Sequence, residues 1–373
     1  MRIDLHSPVE SYIKKEIEGL KTHTHGVKQK DIIGYGRAFR ETLNALEKLY
    51  RGRSDIEITE YYTGGDIQIY FGSARDVYKE HYERKSKRFI IFTMWETTHV
   101  PEEILHNLKV FDEIIVPCQW CKDVYRENGV TKPIHIVPLG INADDWPYME
   151  RNRNGSHPFN LPGQKKDFGK SDNPFTIIWQ GTVFGDRKGG EIVKRIFEKL
   201  NLPNSYLILK INPMYSDLHA PFDLILAPNI RSVGLQLPQE KLLELIERAD
   251  LSVFPSHGEG FGLIPLEHMA TGLPSIVADN TGMSQYCNPE YNLPVECDIM
   301  PGIYGTWCGQ SYKPNEWQIE EYIKWAYENR DAAKELGRKG SAWVKENWTY
   351  ENTAKILMEQ LLCQNELSQV QAG

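Results

Sequence analysis

Apolar residues in this chain fall into short runs of four to seven positions, separated by longer stretches in which they recur every three or four residues. The first pattern is that of strands buried on both faces, the second that of amphipathic helices. Read in order, Met1–Leu5 predicts a strand. A helix opening at Gly34-Tyr35-Gly36 puts Phe39, Leu43, Leu46 and Tyr50 on one face. Strands are predicted at 66–71, 88–93 and 111–117, helices at 102–108 and 118–128, and a closing apolar run at 134–140. From about 150 to 174 the apolar runs vanish and Arg, Asn, Gly, Ser, Pro and Lys dominate, which is a linker signature. Alternation resumes with a strand at 175–179, a helix at 191–200, a strand at 206–211, a turn after 229–234 and a helix at 238–249. Then come a strand at 251–254, a helix from Leu263 to Thr271 stopped by Gly272, and a strand at 275–278. The stretch 291–313, rich in Gly, Pro and aromatics, reads as a long irregular excursion. Helices at 317–327, 331–348 and 350–367 close the chain. Repeated strand–helix alternation predicts α/β architecture with parallel sheets, and no internal repeat is visible.

Candidate chemistry sits at strand ends, where open parallel sheets bind ligands. After the strand at 251–254, the loop His257-Gly258-Glu259-Gly260-Phe261-Gly262 runs into the helix at Leu263, and Glu267 lies one turn inside it. The glycines let the backbone approach a ligand, and the two carboxylates accept hydrogen bonds from hydroxyls. An acidic, solvated loop with a surface helix is the bland alternative. After the strand at 175–179, Gly181-Thr182 leads to Arg187-Lys188-Gly189-Gly190. Cations between glycines at a strand-to-helix turn suit a diphosphate; a solvated basic turn is the alternative. Lys210, at the end of another strand, is a candidate for the same anion. In the first half, Trp95-Glu96-Thr97-Thr98-His99 ends a strand and reads either as a hydroxyl-recognition constellation or as the cap of the following helix.

Glu259-x7-Glu267, with its continuation Ala270-Thr271-Gly272-Leu273-Pro274, resembles the E-x7-E signature of retaining, GT-B-fold glycosyltransferases, family 4 in particular. Ile136-Val-Pro-Leu-Gly-Ile-Asn142 is similar to that family's first-domain end, and Trp95-Glu96-Thr97-x3-Pro101 to a pattern in a subset of its members. The resemblance implies two doubly wound Rossmann-like domains facing each other across a cleft, divided as 1–150, a linker at 151–174, and 175–348, with a C-terminal helix at 349–373 crossing back to the first. It implies a nucleotide-sugar held by Gly181, Thr182, Arg187, Lys188, Lys210, Val233, Glu259, Gly260, Phe261, Gly262, Leu263 and Glu267. In the family the first Glu lies by the donor sugar, the second binds ribose hydroxyls, and the segment at Val233 borders the base. Glu259, Glu96 and His99 become the catalytic candidates, and Gly34, Tyr35, Gly36, Trp95 and Glu96 the acceptor side. The family's Arg directly after the first glycine is Thr182 here, so Arg187 stands in for it or Lys188 grips the phosphates alone. The activity implied is transfer from a UDP- or GDP-sugar to a hydroxyl with retention. A sugar-nucleotide epimerase, a phosphorylase-like enzyme (for which no pyridoxal-phosphate lysine signature is apparent) and a non-catalytic nucleotide-sugar-binding module are the rivals.

Composition narrows this picture. At 373 residues with 40% hydrophobic and 25% charged positions, the chain fits two soluble domains of ordinary size. A net charge of −8 gives no global basic field and argues against general nucleic-acid binding. Locally, residues 10–53 hold ten Lys or Arg against six Asp or Glu. The polar part, 10–30, reads as a solvated loop or as the contact for an anionic acceptor. The acceptor itself stays open among a glycan, a lipid-linked sugar, a small molecule and modified nucleic acid. No run of about eighteen apolar residues and no signal-peptide pattern appears, so the expected location is the cytoplasm, with peripheral membrane contact left open. Six scattered cysteines include Cys118-x-x-Cys121, which has redox spacing but no second pair for zinc; buried or helix-start thiols are expected. No Asp-x-Asp occurs, so metal-independent transfer with no cofactor beyond the nucleotide-sugar co-substrate is expected.

Overall fold

A computed structural model of the chain describes residues 1–6, 34–60, 64–76, 84–151, 157–160, 172–182, 187–212, 223–234, 237–302 and 309–370. The chain divides into two compact units, Met1–Asn142 with Trp348–Gly373, and Ala143–Asn347. The basic segment at 10–30 lies outside the described residues, as do positions 183–186 of the phosphate-type loop.

In the first unit the described elements are β1 (Arg2–His6), α1 (Gly34–Tyr50), β2 (Glu57–Thr59), β3 (Ile67–Phe71), β4 (Arg88–Phe92), α2 (Glu102–Asn107), β5 (Glu113–Val116), α3 (Gln119–Glu127) and β6 (Ile134–Ile136). The strands form one parallel sheet in the order β2-β1-β3-β4-β5-β6. Every residue of β3 and β5 is buried, as continuous apolar runs require when helices cover both faces of a sheet. Phe39, Leu43 and Leu46 of α1 are buried as their spacing predicts. The C-terminal helix, labelled α9 below, belongs to this unit. At the amino end of the sheet, Arg88 holds Glu113 with Nε–Oε1 at 2.7 Å and gives Nη1 to the Leu361 carbonyl of that helix at 3.0 Å. His135 Nε2 lies 2.9 Å from the same carboxylate.

The second unit runs β7 (Phe175–Gly181), α4 (Gly190–Leu200), β8 (Ser205–Ile211), β9 (Asp223–Ala227), β10 (Ile230–Val233), α5 (Gln239–Glu247), β11 (Leu251–Phe254), α6 (Leu263–Ala270), β12 (Ser275–Ala278), β13 (Leu293–Val295), β14 (Cys297–Pro301), β15 (Gln310–Pro314), α7 (Glu316–Glu328) and α8 (Arg330–Asn347); α9 is Tyr350–Val370. Its main sheet has the order β13-β12-β11-β7-β8-β10-β9, parallel except for β9. Ile177, Trp179, Leu207, Val253 and Ile276 pack with Val193 and Ile196 of α4 as its core. Strand order reverses at β7, which has β8 on one side and β11 on the other. The crevice at the carboxyl ends of β7 and β11 is therefore where a ligand binds in such a sheet.

One expectation is corrected. The described residues of the stretch 291–313, which exclude 303–308, are largely regular: they supply β13 at the sheet edge and the antiparallel pair β14–β15. Prolines at 294, 301 and 314 mask the period-two pattern, and half of the pair faces solvent, with Ile299 63% exposed. Within 229–234, Ile230–Val233 form the fully buried β10. Among the described residues no helix is long and apolar enough to cross a membrane.

Candidate active site

The two loops at the switch point are built against each other. Beyond β7, Gly189 precedes α4 with φ of 71°, and a Cβ there would lie 2.3 Å from the Pro255 carbonyl oxygen, so only glycine admits this approach. Trp179 Nε1 donates to the Lys188 carbonyl at 3.0 Å, and His257 N donates to the Arg187 carbonyl at 2.8 Å. The backbone of Arg187-Lys188 is thus pinned to the start of the 255–262 loop. That loop is buried and held from beyond β12. Asn280 Nδ2 donates to the Ser256 carbonyl at 2.9 Å, Glu259 N to Thr281 Oγ1 at 2.9 Å, and Gly282 N to the Glu259 carbonyl at 3.0 Å. Gly262, which caps α6, has φ of 87° and its carbonyl accepts from the Tyr286 hydroxyl at 2.7 Å. His257 is tied to the β14–β15 pair: its carbonyl accepts from Tyr312 N at 3.0 Å and from Ser311 Oγ at 2.7 Å.

At the centre Glu259 meets the two cations. Lys188 Nζ bonds both of its carboxylate oxygens, Arg187 Nη1 lies 3.5 Å from Oε2, and Ser256 Oγ donates to Oε1 at 2.9 Å. Burial alone would raise the Glu259 pKa. The Lys188 and Arg187 charges, with hydrogen bonds from Lys188 and Ser256, outweigh it and hold the carboxyl below its ordinary value. Among the described residues, two cations face one carboxylate at the carboxyl ends of β7 and β11. Arg187 and Lys188 keep partial exposure. Chemically the arrangement suits an entering dianion: the lysine can exchange its carboxylate partner for phosphate oxygens without a net charge being buried alone.

Around this centre Gly181 and Thr182 end β7, and Gly260 and Phe261 are buried in the loop. Leu263 opens α6 half-buried, and Glu267 sits 2% exposed one turn later. Val233 is fully buried at the end of β10. Lys210 is buried near the carboxyl end of β8. It is 2% exposed, and its Nζ donates to the Ile211 carbonyl at 2.7 Å and to Asn212 Oδ1 at 3.2 Å. Burial lowers its pKa to about 7.

The first unit gathers its own group. Gly34 is exposed at the start of α1 and Gly36 buried. Between them Tyr35 extends its hydroxyl to the end of β4, accepting from Met94 N at 3.0 Å. Burial pushes the Tyr35 phenol well up, so it stays protonated. Trp95 is buried, with Nε1 donating to the His99 carbonyl at 2.8 Å and Thr97 Oγ1 at 3.0 Å; it folds the 95–99 turn rather than presenting a surface. Glu96 is half-buried and His99 exposed. Cys118 is the N-cap of α3, its Sγ accepting from Cys121 N at 3.4 Å, and both thiols are buried.

Sequence reading missed Ser256, Asn280 and Thr281. Asn280-Thr281 follows β12, the neighbour of β11, so the strand-end rule applied to that strand would have found them.

Residues 223–343 match the family model described as Glycosyl transferases group 1. Among curated relatives, a protein of Sulfolobus islandicus filamentous virus provisionally named glycosyltransferase 45 is 24% identical over 210 residues, covering 54% of this chain and 52% of the relative. The chain thus spans about half the length of the curated relatives it matches. Among solved structures, sucrose-phosphate synthase from Thermosynechococcus elongatus superposes with a TM-score of 0.65 at 16% identity, covering 99% of this chain and 100% of that one. HepE from Anabaena, solved in complex with UDP-glucose, gives 0.60 at 12% identity, covering 97% and 100%. The chain has the α/β fold, with two Rossmann-like units, that these solved structures show.

Proposed function

We propose that this chain is a retaining glycosyltransferase of the family 4 type, moving a sugar from a UDP- or GDP-sugar to an acceptor hydroxyl without a metal ion. The observation that carries the reading is the Arg187–Lys188–Glu259 constellation at the carboxyl ends of β7 and β11, with Glu267 on the helix that follows. The group 1 match over 223–343 and the likeness to HepE, which was solved with UDP-glucose, support a nucleotide-sugar as the ligand.

In this reading Lys188 and Arg187 bind the diphosphate and take up the charge that grows on it as the glycosidic C–O bond breaks. Backbone at Gly181, Thr182, Gly260, Phe261, Gly262 and Leu263 lines the donor, Glu267 accepts from the ribose hydroxyls, and Val233 lies on the base side. Freed from Lys188, Glu259 accepts hydrogen bonds from the sugar hydroxyls and steadies the oxocarbenium-like transition state. The acceptor oxygen attacks on the face the diphosphate leaves. Its proton passes to the departing phosphate oxygen, so the new bond keeps the donor's configuration. Glu96 and His99 are the acceptor-side groups, on a turn that Trp95 and Tyr35 fix.

A thermal-shift screen of UDP- and GDP-sugars, followed by measurement of nucleoside diphosphate release with and without acceptor glycans in EDTA, tests this. Stabilisation by one base series and acceptor-dependent release are expected. Release that ignores acceptors while the sugar epimerises, or binding with no release at all, would replace it with the epimerase or binding-module reading.

A further inference from the structure

A line of polar side chains crosses the second unit from the end of β8 to α6, and the reaction above leaves it without a task. Lys210 Nζ donates to Asn212 Oδ1 at 3.2 Å. Gln180, the β7 partner of Lys210 in the sheet register, reaches the same oxygen with Nε2 at 3.5 Å. Gln180 Oε1 lies 2.9 Å from Nε2 of His268, which is fully buried on α6 beside Glu267.

The polarity of this line is set from one end. In its protonated form, which its lowered pKa keeps dominant below about pH 7, the Lys210 ammonium group only donates, so the Asn212 atom facing it is the carbonyl oxygen. The Gln180 atom facing that oxygen is then the amide nitrogen, which turns Oε1 to His268 and puts the imidazole proton on Nε2. Asn212 must therefore direct its NH2 group away from Lys210. Asn212 is half-buried, and among the described residues that NH2 has no hydrogen-bond partner. The residue itself lies beside the charged turn: Asn212 N donates to the Gly181 carbonyl at 2.7 Å, and a Cβ built on Gly181 would lie 3.1 Å from the Cβ of Lys188. An apolar side chain at 210 would fill the same volume without the cost of desolvating an ammonium group, so what the lysine adds is orientation.

We propose that Asn212 is a further donor-site residue whose carboxamide N–H binds a diphosphate oxygen of the nucleotide-sugar, with Lys210 and Gln180 as positioning residues that hold it in that orientation. The inference rests on the function proposed above and adds to it a contact beside the Arg187–Lys188 turn.

Three variants separate ligand contact from packing, using UDP, GDP and inorganic pyrophosphate as probes in calorimetry. Asn212→Asp keeps an oxygen for Lys210 and gains an ion pair, so its melting temperature should equal or exceed that of the parent. It also sets a carboxylate against the phosphates, so the dissociation constant for all bound probes should rise by about tenfold or more, further than for Asn212→Ala. Lys210→Met should match Asn212→Ala in affinity, and the double variant should lose nothing further, because both changes remove one oriented donor. Asn212→Asp binding like the parent, or affinities that merely track melting temperature, overturns the inference and leaves the proposed function standing. A parent protein that binds none of the three probes overturns both. Should Lys210→Met fail to fold, the Asp-against-Ala comparison at 212 decides alone.

Discussion

Replacing Lys188 with Met should both destabilise the second unit and abolish tight binding of the diphosphate, and the two effects are separable. Glu259 is 8% exposed, and Lys188 bonds both of its oxygens. Breaking a buried pair from one side costs about 3–5 kcal/mol. Here Arg187 at 3.5 Å and Ser256 at 2.9 Å still face the carboxylate, which brings the expectation to or just below the lower end of that range, about 2–3 kcal/mol. For a unit of this size that lowers the melting temperature by about 4–12 °C. Glu259→Gln should cost less, about 1 kcal/mol, because the long lysine stem lets its ammonium group turn to water. The Lys188→Met/Glu259→Gln double variant should then recover about 2 kcal/mol relative to the sum of the single changes. Urea denaturation of the four proteins measures this coupling. Calorimetry with UDP and GDP measures the second effect: Lys188→Met should weaken the bound nucleotide by about thirtyfold, roughly 2 kcal/mol, and the double variant should not restore it. A stability of Lys188→Met within about 0.5 kcal/mol of the parent would refute the pairing argument. Restored nucleotide affinity in the double variant would show that the lysine acts only by holding Glu259.

Glu267→Ala should weaken UDP or GDP binding by about 1–3 kcal/mol, the scale of lost charged hydrogen bonds; unchanged calorimetric affinity would remove Glu267 from the ribose site. Gly262→Ala forces a side chain into φ of 87° and puts its Cβ 2.5 Å from the Tyr286 hydroxyl, so thermal denaturation should show a loss above about 1 kcal/mol. A neutral effect would mean that the α6 cap shifts freely. For Glu113 burial works to raise the pKa, but hydrogen bonds from His135 and Arg88 and the Arg88 charge carry it down to about 2. A depressed carboxyl stabilises above its unfolded pKa of about 4.3 and ceases to as pH falls through the folded value. The parent should therefore lose stability between about pH 5 and 2, and Glu113→Gln should flatten that part of the curve in acid denaturation. Parallel curves would assign the acid loss to other groups.

Much of the fold was legible because parallel strands are buried on both faces and therefore appear as unbroken apolar runs, as at 67–71 and 251–254. The loops of the site were legible because glycines with charged neighbours punctuate strand ends. Pairings across the sheet were not. Lys188 and Glu259 are 71 residues apart, and what joins them is the adjacency of β7 and β11, which no local pattern encodes. Lys210 sits at a strand end, where side chains commonly face a ligand, and the hold of Asn212 and the Ile211 carbonyl on its Nζ is likewise not announced by the strand pattern. The β14–β15 pair stayed hidden because its prolines interrupt the alternation, although it fastens His257 beside the charged centre.

The most direct test of retaining, metal-independent transfer is to follow the anomeric proton by NMR while the protein, in EDTA, consumes the nucleotide-sugar that best stabilises it, with an acceptor mixture present. The account predicts one equivalent of nucleoside diphosphate for each new glycosidic signal, the signal showing the donor's anomeric configuration, and loss of both in Lys188→Met. A product of inverted configuration, or turnover that appears only when manganese or magnesium is restored, would contradict it.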